Sequence, residues 1–365
     1  MDSVNVIQNT VTYRDLPDMI RVAVIDRKPM FIVGQPGVGK SQIARQVAKE
    51  DGIGIIELLG YLFEPVDMRG LQVPNEADRT TTSYSLGKWP FQRFVDSGKI
   101  PERGILLLDD VFNAHRDMLT ALAEPLLDHT VNGEPLAKGW VIIGTGNNLG
   151  SGTSANALPN HVSNRVSFVQ VEPSWDDWLV WATGKIRPEL LGYFAMQNGI
   201  DLFKYDAKKI MPNSPYLTPR SLESLSTRLD AWDQLKGRNA PLHVYSSMVG
   251  EYGGKLYATL GYIHELVSWP EIEADAKGCR MPQQPAAIYA QVQIIAGKLR
   301  SCGNIIPKRV SKAAYDYICR FNAETTALAM NQWSKATIHS GMDTSVWGMC
   351  PEWIVWYNEN RKLTS

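Results

Sequence analysis

The chain has 365 residues, 44% of them apolar and 21% charged, with a formal net charge of −1, and its length alone predicts about two domains. That balance excludes a disordered polymer and offers no basic footprint for nucleic acid, and no apolar run approaches the roughly 20 residues of a membrane helix. Cys279, Cys302, Cys319 and Cys350 show neither CxxC nor zinc spacing and follow no secretory signal, so free thiols in a reducing, cytoplasmic compartment are expected.

Leu16 to Arg27 carries apolar residues at helical period with Pro17 near its start, which predicts a first helix. Next comes the apolar strand run Met30-Phe31-Ile32-Val33, leading into Gly34-Gln35-Pro36-Gly37-Val38-Gly39-Lys40-Ser41 and then the helix-like stretch Gln42 to Glu50. This order reads as a phosphate-binding loop. Glycines let backbone N–H groups approach phosphate oxygens, Lys40 reaches the β- and γ-phosphates, and the Ser41 hydroxyl ligates Mg²⁺ at a helix N-terminus that favours anions. Gly34, Pro36, Gly37, Val38, Gly39, Lys40, Ser41 and Gln42 are therefore the expected nucleotide-binding positions. A turn of a glycine-rich surface loop would share the string but not the flanking strand and helix.

Gly52 to Leu59 predicts a second strand. Ile105-Leu106-Leu107-Leu108 reads as a buried parallel strand with Asp109 and Asp110 at its carboxyl end, where open α/β sheets place ligands. Asp109 is expected to hold Mg²⁺ with Ser41, and Asp110 to polarise the attacking water. Arg116 to Leu127 reads as a helix and Val131-Asn132-Gly133-Glu134 as a hairpin turn. Trp140 to Asn148 forms a third apolar strand with a polar end, where Asn147 could hold the water or the γ-phosphate. Leu158 to Arg165 reads as a short helix whose arginine could be offered to a neighbouring subunit's ATP, ahead of the strand Val166 to Val171. The alternation predicts a parallel sheet with helices on both faces.

From Trp175 onward helical periodicity takes over. Trp175, Trp178 and Trp181 recur at three-residue spacing, a pattern that marks a helix-packing face before it marks a ligand box. In Leu217-Thr218-Pro219-Arg220, Pro219 suits a first helical turn and Arg220 would point back at the nucleotide. Ser247 to Val267, Pro285 to Leu299 and Ser311 to Trp333 read as helices separated by Pro- and Gly-containing breaks. Trp347, Trp353, Trp356 and Tyr357 crowd the end as a docking surface or, the plainer reading, as a terminal helix folded onto the lid. The six histidines show no metal-ligand spacing.

Taken in order, these elements resemble the AAA+ ATPases, and within them the MoxR-type group, over residues 14 to 230. The resemblance implies an α/β fold in which an AAA+ P-loop parallel sheet flanked by helices occupies residues 1–172. An all-α lid follows over 173–235, and an extended helical C-terminal region over 236–365. It places Lys40 and Ser41 in Walker A, Asp109 and Asp110 in Walker B, and Asn147 at sensor 1. Arg165 matches the arginine finger acting in trans and Arg220 matches sensor 2. Pro65 to Leu71, with Asp67 and Gly70, is similar to the Asp-x-x-Gly segment of the group, which makes residues 71 to 88 a pore-facing hairpin insert.

Two departures stand out. Asp110 replaces the family's glutamate with a side chain one methylene shorter, which implies slow hydrolysis, and Val111-Phe112-Asn113-Ala114 lacks the family's arginine, leaving only Arg116 nearby. The implied cofactors are ATP and Mg²⁺, and the implied reaction is ATP hydrolysis to ADP and phosphate. The implied assembly is a hexameric ring that remodels a protein client in a chaperone-like way, with a von Willebrand factor A domain protein as partner and neither nucleic acid nor membrane. Two alternatives stay open: a nucleic-acid motor, for which Arg69, Arg79 and Lys88 are the only support, and a slow nucleotide-gated assembly switch, suggested by Asp110.

Overall fold

The computed structural model describes residues 10–62, 71–74, 81–84, 89–147, 156, 158–196, 199–206, 210–211, 213–237, 239–303, 306–339 and 351–360. The chain divides into two compact units, Met1–Pro173 with Tyr205–Ile210, and Ser174–Lys204 with Met211–Ser365.

The first unit alternates strand and helix. Its elements are β1 (Thr10–Val11), α1 (Leu16–Asp26), β2 (Met30–Gly34), α2 (Lys40–Glu50), β3 (Gly54–Leu59), β4 (Leu71–Pro74), β5 (Thr81–Tyr84), α3 (Gln92–Asp96) and β6 (Gly104–Asp109). They continue through α4 (Arg116–Ala121), α5 (Ala123–Leu127), β7 (Thr130–Val131), β8 (Glu134–Pro135), β9 (Trp140–Asn147), α6 (Asn160–Ser163) and β10 (Ser167–Val171). Six strands form one sheet in the order β1-β10-β2-β9-β6-β3, and every neighbouring pair is parallel.

The apolar runs are continuous because both faces of the sheet are covered. Ile105, Leu107, Val141 and Ile143 pack with Leu16, Ile20, Ala44 and Val47 of α1 and α2. Leu106, Leu108 and Ile142 face the other way, against Phe112, Met118, Leu119 and Leu122. Strand parity therefore decides which side chains meet α2. The register puts Gly34 opposite Asn147 and Leu59 opposite Asp109, so β2, β6 and β9 end side by side.

Local chemistry accounts for where the elements differ from expectation. The helix expected over Arg116 to Leu127 is two short ones, because Pro125 has no N–H to give the Ala121 carbonyl. The insert expected over 71 to 88 contains an antiparallel pairing of β4 with β5, Leu71 opposite Tyr84. Asp67, Arg69, Gly70, Arg79, Lys88, Asn148 and Trp347 lie outside the described residues.

The second unit is helical: α7 (Trp175–Ala182), α8 (Pro188–Ala195), α9 (Pro219–Lys236), α10 (Leu242–Val249), α11 (Tyr252–Thr259), α12 (Trp269–Ala274), α13 (Pro285–Ser301), α14 (Lys308–Ile318), α15 (Ala323–His339) and α16 (Pro351–Glu359). The stretch expected as one helix from Ser247 breaks at Gly250, whose φ is 60°. The stretch expected from Ser311 breaks before Asn322, whose Oδ1 accepts the Thr325 N–H at 2.8 Å.

One core of this unit gathers Trp178, Leu190, Phe194, Leu222, Leu225, Tyr245 and Ala290, with Trp175 and Trp181 packed against it. The tryptophan stripe is thus a packing face, with ring centroids 5.5 and 6.1 Å apart. A second core holds Ile295, Tyr317, Met330 and Trp353, with Trp356 packed against it. Trp353 meets Tyr315 edge-on at 5.2 Å. Trp353 is therefore interior to this unit, and Trp356 is half-buried beside it. Among the described residues no helix is long and apolar enough to cross a membrane.

Candidate functional site

The β2–α2 turn is built around glycines that adopt φ of 76° at Gly37 and 88° at Gly39, a region that side chains with a Cβ avoid. Gly39 caps α2 without any side-chain acceptor, so the first-turn N–H groups of an eleven-residue helix are left to bind something else. Such an end attracts anions. Val38 is buried, and Gln42, in the first turn of α2, is exposed.

Lys40 is buried, 8% exposed, and its side chain folds back over the loop. Its Nζ donates to the carbonyls of Gly34 at 3.1 Å and Gln35 at 2.8 Å, and to Asn147 Oδ1 at 3.3 Å. The end of β9 is thereby joined to the loop by the lysine itself.

A second knot lies one residue on. Ser41 Oγ donates to Asp109 Oδ1, and Thr145 Oγ1 donates to the same oxygen at 2.6 Å. Thr145 Oγ1 also accepts the Asp110 N–H at 3.2 Å and lies 3.4 Å from Ser41 Oγ. Ser41, Asp109 and Thr145 meet because residues 105, 107 and 109 of β6 and 143, 145 and 147 of β9 share the face that α2 covers. The alternate residues Gly144 and Gly146 face the other way. A Cβ at Gly146 would lie 2.0 Å from the Phe112 ring, so glycine there lets Phe112 pack flat on the strand.

Asp110 leaves this face. Its φ of 55° and ψ of 39° are left-handed, a conformation that aspartate tolerates better than most side chains, and its Oδ2 accepts the Asn113 side-chain amide at 2.6 Å. The two acids are therefore held differently. Asp109 is fixed by hydroxyls among buried neighbours, while Asp110 projects from a turn and is steadied by a single amide.

Hydroxyl and carboxylate oxygens at Ser41 and Asp109 form a hard donor set of the kind Mg²⁺ prefers. A buried ammonium beside an uncapped helix end suits a polyphosphate. The residues present thus fit both groups of an Mg²⁺–nucleotide complex.

Residues 2–174 match the family model described as the MoxR domain in the MoxR-vWA-beta-propeller ternary systems. They form a MoxR-type AAA+ domain. No curated protein matches the sequence. Among solved structures, a candidate ATPase from Cytophaga hutchinsonii is 15% identical, covering 92% of this chain and 91% of its own, at a TM-score of 0.34. NtrX from Brucella abortus is 14% identical over 95% of this chain and 67% of its own, at 0.30. A Thermotoga maritima RuvB mutant is 11% identical over 95% and 85%, at 0.36.

Within the MoxR-type domain, Lys40, Ser41, Asp109 and Asn147 converge, and Asp110 follows on the adjoining turn. Arg165 stands apart, exposed at the turn between α6 and β10, and forms no ion pair among the described residues. Arg220 belongs to the second unit, exposed in the first turn of α9, where Thr218 and Ser221 make a capping box.

Thr145 and Asn113 are the contributors that the motif string conceals. Strand alternation carries the signal for Thr145, since it lies two residues before Asn147 and so on the same face. Thr145→Val keeps the shape but leaves the Asp110 N–H without its acceptor. It is expected to cost about 1–3 kcal/mol, read as a lower denaturant midpoint at unchanged slope, with Thr145→Ser close to the parent.

Proposed function

We propose that this protein is a ring-forming ATPase, hexameric by family resemblance, that couples hydrolysis of ATP to ADP and phosphate to chaperone-like remodelling of a protein client. The observation that supports this reading best is the convergence of three strand ends and one uncapped helix on Lys40, Ser41, Asp109 and Asn147. Lys40 would draw the β- and γ-phosphates onto the loop amides, and Ser41 with Asp109 would hold Mg²⁺. The metal would supply charge neutralisation on the transferring phosphoryl group. Asp110 would accept the proton of the attacking water, and Asn147 would orient that water. Arg165 would reach a neighbouring subunit's nucleotide. We assign α7 to α9 to the lid, with Arg220 as its sensor 2 arginine by family resemblance, and the helices after residue 235 to the C-terminal extension.

The matched family is described from systems that also contain a von Willebrand factor A component and a β-propeller. We therefore propose a von Willebrand factor A domain protein as partner and a client delivered through it.

Asp110→Asn is the test. It keeps the side-chain shape and an acceptor for Asn113 while removing the charge, so ATP stays bound, turnover falls at least about 100-fold, and a tagged variant retains client that the parent releases. Unchanged turnover would remove Asp110 from the mechanism. A second reading, a slowly hydrolysing assembly switch, is favoured by the hold of Asn113 on the Asp110 carboxylate; ATP-dependent assembly without matching turnover distinguishes it.

A further inference from the structure

The motif explains why Asp109 sits where it does but not how its charge is regulated, and α2 carries a second grip on the same carboxylate. Ser41 and Arg45 are four residues apart on one helix face. Ser41 holds Asp109 Oδ1, while Arg45 Nη2 stands 3.5 Å from Asp109 Oδ2. That guanidinium is committed elsewhere. Its Nε donates to Glu57 Oε1 at 2.7 Å and its Nη2 to Glu57 Oε2 at 2.9 Å, a two-pronged pair of the strong kind.

Glu57 reaches it because β3 pairs with β6 in a register that sets Leu59 opposite Asp109 and Glu57 opposite Leu107. Glu57 and Asp109 therefore lie on the face that α2 covers, two residues out of step. One nitrogen, Arg45 Nη2, is shared between two carboxylates, at 2.9 Å from Glu57 and 3.5 Å from Asp109.

We propose that Arg45 and Glu57 are a positioning pair that sets how tightly Asp109 takes a divalent cation. Glu57 holds the guanidinium back from a full ion pair with Asp109 and offsets its charge. Asp109 then keeps one oxygen fixed by hydroxyls and the other available to a metal. This rests on the Mg²⁺–nucleotide reading above. Neither residue touches the nucleotide in this scheme.

The signs follow from Coulomb's law. Removing the Glu57 charge frees the Arg45 cation to pair with Asp109, which opposes a second cation there. Removing the Arg45 charge leaves two carboxylates together and favours one. Removing both restores the net charge of the parent.

The experiment titrates Mg²⁺ against the affinity for a fluorescent ADP analogue, which reads binding and not turnover. Glu57→Gln is expected to raise the half-saturating Mg²⁺ concentration about five-fold at low ionic strength, and less in high salt, since the groups are part exposed. Its affinity in EDTA is expected to stay within about two-fold of the parent. Arg45→Met is expected to move the half-saturation the other way, and the double variant to return it to within about two-fold of the parent.

Two results overturn the proposal: no shift in folded Glu57→Gln, or a shift that persists in the double variant. Arg45→Met carries the same test should Glu57→Gln fail to fold, because an unchanged or raised half-saturation there also overturns it. A parent whose nucleotide affinity ignores Mg²⁺ would instead defeat the underlying cofactor reading, and this inference with it.

Discussion

Mixing Arg165→Ala subunits with Asp110→Asn subunits is expected to restore ATP hydrolysis that neither variant has alone. Arg165 is exposed on the turn after α6, free of ion pairs among the described residues, as a side chain destined for a neighbour would be. If it acts in trans, a complete site needs the acid of one subunit and the arginine of the next. Each variant by itself breaks every interface. In a mixture, an Asp110→Asn subunit still offers its arginine and an Arg165→Ala subunit still offers its acid, so interfaces of one orientation are whole. An arginine supplied at the transition state contributes about 10³-fold or more to rate, so sparse rebuilt interfaces stand above background. The measurement is steady-state phosphate release across mixing ratios, with subunit exchange verified by energy transfer between labels. Full exchange without any recovery would place Arg165 outside the neighbouring site.

Lys40→Ala is expected to weaken ATP binding by about 100-fold or more, the scale of about 3 kcal/mol for deleting one member of a buried charged contact. Nucleotide titration by fluorescence or calorimetry measures it directly. Lys40 is 8% exposed and also ties the carbonyls of Gly34 and Gln35 together. The variant therefore needs a thermal melt beside it, and Lys40→Met, which keeps the apolar stem, separates lost charge from lost packing. Normal affinity in a folded Lys40→Met protein would exclude the lysine from phosphate binding.

The two halves of this site differ in how far they could be read from the string of residues. The loop from Gly34 to Ser41 is contiguous, and its chemistry demands glycine and lysine at fixed spacing. Asp109 and Asn147 each close an apolar run, so their place at a strand end followed from the run itself. Thr145, Arg45 and Glu57 carry no such mark. Thr145 matters through strand parity and Glu57 through the β3–β6 register, and both depend on strands brought together by a sheet order that local patterns do not encode. The breaks at Leu122 and Gly250 were hidden for a simpler reason: hydrophobic period runs straight through them, while one missing N–H or one left-handed residue ends the helix. Arg165 shows the converse, because a side chain whose proposed partner sits on another copy leaves no ion pair among the described residues of its own chain.

The lysine that folds back onto its own loop has a consequence for how quickly the domain can be loaded. An ammonium swinging in water would have to lose its rotamer freedom as the ligand arrived, at a cost of about 1.5–2 kcal/mol. Here the Gly34 and Gln35 carbonyls and the Asn147 amide oxygen have already gathered it. On the proposed function, loading would be a change of partner at a charge already in place, and unloading would return the ammonium to waiting acceptors. A domain that uses Lys40 in this way would cycle between loaded and unloaded forms without that cation ever being stranded in the protein interior.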